Sequence, residues 1–126
     1  MNPFSSRQQL GHRGERLAES FLIQRGYRIE ARNVRFPVGE LDLVARCGET
    51  LCFIEVRSAS SVQWGGALES VTWKKRRRMI RAASWYLRRL KTLPLIRFDV
   101  VAIQWDPSSR PSIELIQDAF RSDGTL

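Results

Sequence analysis

Histidine is all but missing from this chain, present only as His12, and cysteine occurs only at Cys47 and Cys52. Neither cysteine has a Cys or His neighbour at metal-ligand spacing, which argues against a zinc-type site. Two cysteines make no disulfide framework for a domain of this size, so both read as ordinary buried or turn thiols in a reducing, cytoplasmic setting. His12 reads as a solvated helix residue, with a phosphate contact or proton transfer as the alternative. No apolar stretch approaches the roughly 20 residues of a membrane span. The start, Met1-Asn2-Pro3-Phe4, has no charged head followed by an apolar run, so no secretory signal is expected. Repeats, low-complexity tracts and linkers are missing too, and residues 1–126 read as one domain.

Positive charge, by contrast, is abundant. Lys+Arg 21 against Asp+Glu 13 give a formal net charge of +8 and a pI near 10.7. That balance favours a polyanionic partner, with nucleic acid ahead of an acidic membrane or an acidic protein. Binding follows from charge; chemistry does not.

The hydrophobic pattern divides the chain into seven elements. Residues 5–24 form a helix with Leu10, Leu17, Phe21 and Leu22 on its apolar stripe and Gly26 as its stop. Glu15 stands at the edge of that stripe, either as a solvated acid or aimed into a site. Residues 27–33, 39–46 and 50–57 read as strands joined by the turns at 37–39 and 47–49, hence an antiparallel meander. A polar loop follows over 58–66. A long helix starts near Ala67 or Thr72 and runs to Leu90, burying Val71, Met79, Ala82, Ala83, Tyr86 and Leu90. Strands at 96–105 and 112–117 end the fold, with the tail after Phe120 expected to fray. A helix between the third and fourth strands is a crossover, which implies parallel pairing there. The expected fold is therefore α/β, a mixed central sheet with flanking helices.

Acids inside apolar strands are the chemical signal. In Gly39-Glu40-Leu41-Asp42-Leu43-Val44 the alternation of strand side chains puts Glu40 and Asp42 on one face, opposite Leu41 and Leu43. In Cys52-Phe53-Ile54-Glu55-Val56-Arg57 it groups Glu55 with Arg57. On neighbouring strands Asp42 and Glu55 come close, and buried carboxylates need compensation. With the Val56 carbonyl they make an oxygen-rich site suited to Mg²⁺ or Mn²⁺. The competing reading pairs both acids with surface arginines. Within Lys74-Lys75-Arg76-Arg77-Arg78, Lys75 lies four residues after Val71 and four before Met79, so it projects along the apolar face. There it either snorkels outward or reaches a buried acid. Lys74, Arg76, Arg77 and Arg78 form a solvated basic face fit for nucleic acid. Trp64 is a base-stacking candidate beside it. Asp99, next to Arg97, reads as half of a structural ion pair.

One family shares these features in order: Gly11, Gly14-Glu15, Ala18, Gly26-Tyr27, Asn33, Arg35, Gly39-Glu40-Leu41-Asp42-Leu43, Phe53-Ile54-Glu55-Val56, Gly65, Val71, Lys75, Ala83, Tyr86-Leu87, Arg97-Phe98-Asp99-Val100 and Ala119-Phe120. The chain resembles the YraN-like family of uncharacterised bacterial proteins, which are similar to Holliday junction resolvases and share the restriction-endonuclease-like fold. The resemblance implies a metal-dependent endonuclease acting on branched or structured DNA. Asp42 and Glu55 are then the metal ligands, Glu15 is a further acid, and a homodimer on a two-fold junction is the expected assembly. Glu40 becomes a fourth acid or a structural partner. Two departures stand out. The family's Glu-Val-Lys is here Glu55-Val56-Arg57, and the arginine usual two positions later is Ala59. Arginine stays protonated at any working pH and cannot act as a base, though its fork can hold a phosphate. The sequence therefore carries three readings: an active nuclease drawing on Lys75, a DNA-binding module without cleavage, and a protein-interaction domain.

Overall fold

The computed structural model describes the backbone of residues 3–59 and 69–126, and side chains from Gly11 onward. Leu10's side chain, Trp64, Gly65 and the helix start expected near Ala67 lie outside the described residues. The element order is α1 (Pro3–Gln24), β1 (Arg28–Phe36), β2 (Gly39–Cys47), β3 (Thr50–Ala59), α2 (Trp73–Leu87), β4 (Leu95–Gln104) and β5 (Ser112–Phe120). The five strands form one sheet in sequence order. β1–β2, β2–β3 and β4–β5 are antiparallel, and β3–β4, joined through α2, is parallel.

The two helices cover opposite faces. Ala18 and Leu22 of α1 pack with Leu43, Ala45, Cys52, Ile54, Val101 and Ile103. Met79, Ala82, Ala83 and Tyr86 of α2 pack with Leu41, Val44, Phe53, Phe98 and Phe120. α1 ends where its sequence dictates: Gly26 adopts φ 90°, and the amides of Gly26 and Tyr27 bond back to the Ile23 and Leu22 carbonyls. This is the Schellman arrangement that glycine permits. α2 begins with Thr72, whose hydroxyl accepts from the Lys75 amide at 3.2 Å.

Three strands outrun their sequence signal. β1 continues to Phe36, β3 to Ala59 and β5 to Phe120, because pairing with neighbouring strands carries them past the turn and loop residues expected there. The tail does not fray. Residues 121–125 close a turn in which Arg121 N donates to Thr125 O and Gly124 N to Arg121 O, both at 2.8 Å.

Candidate acidic site at a split between two strands

The strict alternation expected along β2 fails at Asp42. Leu41 belongs to the α2-side core and Leu43 to the α1-side core, although they stand two residues apart. The cause lies across the ladder in β1. Asn33 takes φ 49°, in the left-handed region that asparagine tolerates better than most residues. Its neighbours Arg32 and Val34 pair with Leu43 and Leu41, so the twist passes to β2. The β2–β3 ladder begins only at Leu43↔Ile54. Beyond it the two strands part, and the Asp42 carboxylate spans the opening to accept the Val56 N–H at 2.9 Å.

That placement lets Asp42 meet acids from both faces. Glu55 points to the α2 side, almost fully buried, where the Asp42 charge acts on it. Glu15 approaches from α1, repelled by Asp42 and hydrogen-bonded to Asn33. Burial above all, then the Asp42 charge, pushes the Glu55 carboxyl up to about 8, against the pull of Lys75. The same two causes in the same order raise Glu15, offset in part by Asn33. Glu40 is a surface residue paired with Arg35 at 3.7 Å, and acts on Glu15 only weakly.

Two cations border the row. Lys75 reaches inward along the buried stripe of α2, and its Nζ lies 2.6 Å from Glu55 Oε1. Arg57 is farther off: its Nη1 is 4.0 Å from the same oxygen and its Nε donates to Ser70 Oγ at 3.3 Å. The site cation on Glu55 is thus an ammonium delivered by α2, not the guanidinium two residues along β3. α2 is held close by Gly39, where a Cβ would stand 2.2 Å from the Arg78 carbonyl oxygen.

The donor set is hard and oxygen-rich, and the Asp42 charge acts on the buried Glu55 carboxyl. On an extended strand the N–H and C=O of one residue point the same way, so the Val56 carbonyl faces the opening its amide faces. Asp42, Glu55 and that carbonyl are chemically fitted to Mg²⁺ or Mn²⁺. Among the described residues, no three His, Cys, Asp or Glu side chains group as ion ligands, so Glu15 stands as an outer acid. A polar cleft of about 380 Å³ opens beside Glu15, lined also by His12, Arg16, Asn33 and Leu43. Nothing in the sequence singles out the geometry of Asn33 beyond asparagine's tolerance of a positive φ.

The remaining candidates separate. Lys74, Arg77 and Arg78 are exposed on α2. Arg76 is not part of that surface. Its Nε donates to Gly124 O at 2.9 Å and its Nη1 to Val71 O at 2.6 Å. Asp99 is fully buried, gripped by Arg97 through both oxygens at 2.8 and 2.9 Å, by the Tyr27 hydroxyl at 3.0 Å and by the Asp118 amide at 2.9 Å. It is the structural pair the sequence suggests. Cys52 is a buried thiol, pushed by burial up to about 12, and Cys47 is free and half-buried.

Fold and site together define a mixed α/β protein with five strands between two helices and an acidic row at a strand opening. The profile of the uncharacterised protein family UPF0102 matches residues 14–103. The chain belongs to that family. It is 46% identical over 115 residues to a UPF0102 protein of Symbiobacterium thermophilum, covering 90% of this chain and 98% of the relative. A UPF0102 protein of Desulfosudis oleivorans is 43% identical over 117 residues, covering 92% and 93%. One from Xanthomonas euvesicatoria is 41% identical over 121 residues, covering 94% and 97%.

Proposed function

We propose that this protein is a divalent-metal-dependent endonuclease of the restriction-endonuclease-like fold that hydrolyses phosphodiesters in branched or structured DNA. One observation carries the reading: Asp42 and Glu55 meet at the opening between β2 and β3 with the Lys75 ammonium on Glu55. Asp42, Glu55 and the Val56 carbonyl would hold Mg²⁺ or Mn²⁺. The ion, when bound, supplies polarisation of a phosphoryl oxygen and a water of lowered pKa. The chain's own groups do the rest. Lys75 offers a mobile point charge for developing negative charge, the function that Arg57's fork fills poorly. Arg57 is placed to hold a neighbouring phosphate. Lys74, Arg77 and Arg78 give α2 a basic surface for the DNA backbone. The three readings of the sequence meet here, with the ion pair of Lys75 favouring the first.

A second reading rests on Arg57 standing where the family pattern has lysine: a DNA-binding module that does not cleave. Four-way-junction oligonucleotides incubated with Mg²⁺ or Mn²⁺ separate the two. Cleavage that Asp42→Ala or Glu55→Ala reduces by at least about a hundredfold supports the first. Cleavage unchanged in both variants sinks it, and salt-dependent binding without cleavage selects the second. Arg57→Lys measures what the departure costs, as a gain in rate.

A further inference from the structure

Core residues flank the turn that carries Lys75, Val71 just ahead of α2 and Met79 after it, but no residue from Thr72 to Arg78 is itself fully buried. The first buried residue of α2 is Met79, a full turn past Lys75, while Trp73 and Lys74 are exposed and Lys75 and Arg76 half-buried. Polar contacts hold this stretch, and one of them, together with the Trp73 ring, reaches residues 121–125.

Residues 121–125 form a tight turn. Beyond its two backbone bonds, Asp123 Oδ1 accepts from the Thr125 amide at 2.9 Å and from the Thr125 hydroxyl at 2.7 Å. At its centre Gly124 is buried, takes φ 89°, and packs under the Trp73 ring so closely that a Cβ would lie 2.6 Å from a ring carbon. Its carbonyl accepts from Arg76 Nε, and the same guanidinium ties back to Val71 O just ahead of α2. Trp73 and Arg76 therefore grip Gly124 from either side of Lys75, while Thr72 caps the Lys75 amide.

We propose that residues 121–125 act as a latch that sets the position of Lys75, and that Arg76 and Gly124 are positioning residues for the acidic site. The proposal rests on the reading in which Lys75 is the site's cation. Its logic is mechanical. A lysine side chain has four rotatable bonds, so a 2.6 Å pairing with Glu55 persists only if its own backbone is held. The core holds Val71 and Met79, one turn to either side, but no residue between them, and the latch secures that stretch. The basic run on α2 is thereby divided in function: Arg76 faces inward to the tail, and its neighbours face solvent.

The test uses the full chain labelled with ¹⁵N on lysine side chains, where an ion-paired ammonium gives a proton–nitrogen signal that free lysines lose to water exchange. Lys75→Arg assigns the signal. Arg76→Ala and Gly124→Val are expected to abolish it, with Arg76→Lys restoring part of it. A chain ending at Phe120 serves if Gly124→Val fails to fold. A Lys75 signal unchanged in Arg76→Ala, while amide exchange shows the C-terminal turn released, overturns the proposal. A second arm uses junction cleavage. Arg76→Ala is expected to lower kcat on the order of tenfold or more with KM unchanged, and to add nothing in a Lys75→Ala background. Additive losses would overturn the latch. Absence of cleavage by the unaltered chain would defeat the nuclease reading instead, leaving the ammonium signal to decide the latch alone.

Discussion

Glu55 joins two demands that oppose each other: it is almost fully buried on β3 beside Val100 of β4, and it must bear charge to hold a cation. Its carboxyl is raised from 4.5 to about 8, so the folded state binds a proton the unfolded state releases. The stability it contributes is fully present below about pH 4.5 and is lost as pH rises through about 8. Without divalent ions, unfolding free energy should fall across that window by an amount on the order of a few kcal/mol. Glu55→Gln should flatten the slope. Mg²⁺ should raise the melting temperature more at pH 8 than at pH 5, because a bound cation replaces the proton. Urea titrations across pH check the first two, and thermal melts with and without Mg²⁺ the third. A slope that persists in Glu55→Gln would assign it to another group. Lys75 was legible in the sequence because its spacing from Val71 and Met79 is helical. Arg76 was not, since nothing in a basic run distinguishes the one arginine that turns towards a distant carbonyl.

At the scale of elements, what the site needs is a close approach and a parting. The approach is α2 on the first residue of β2. Gly39→Ala drives a methyl into the Arg78 carbonyl, a backbone atom that cannot rotate aside. A loss of about 1–3 kcal/mol in urea unfolding is expected, with weakened cleavage because α2 carries Lys75. Gly14→Ala makes the control: its new methyl would meet the Ser58 hydroxyl, which a rotamer change moves away. If both cost the same, helix approach is not what Gly39 protects. The parting is the β2–β3 opening at Asp42. Period-two reasoning assigned β2 as a strand and placed Asp42 near Glu55, yet it set Leu41 and Leu43 on one face. The error traces to Asn33, on a different strand, whose left-handed backbone shifts the alternation of both. Order and pairing of the strands were legible because short turns and one long crossover leave few alternatives. A local change of twist leaves no period to read.

For the molecule as a whole, the Arg97–Asp99 pair does what core packing alone does not: it connects the sheet's last strand to the residue before its first. Tyr27 receives hydrogen bonds from Arg97 Nη2 and Gln117 Nε2, each at 2.8 Å, and donates its own proton to Asp99. Asp99→Ala strands the guanidinium, the tyrosine hydroxyl and the Asp118 amide together. A loss of about 3–5 kcal/mol is expected in urea unfolding, the range for breaking a buried pair by deleting one partner. Loss of less than about 1 kcal/mol would show that water enters and satisfies them.

The same Tyr27 cluster also bears on how the chain is made. Its bonds join residues 72 and 90 positions apart, and β5 leaves the ribosome after the other four strands. Until it does, Asp99 and Arg97 sit in a half-built sheet, Tyr27 waits without Gln117, and the turn that grips α2 does not yet exist. The β2–β3 hairpin bearing both strand acids can close early, but neither the sheet nor the helix that brings Lys75 is secured before residues 112–125 arrive. A chain that stops before β5 therefore carries the acids and Lys75 without the turn that grips the helix.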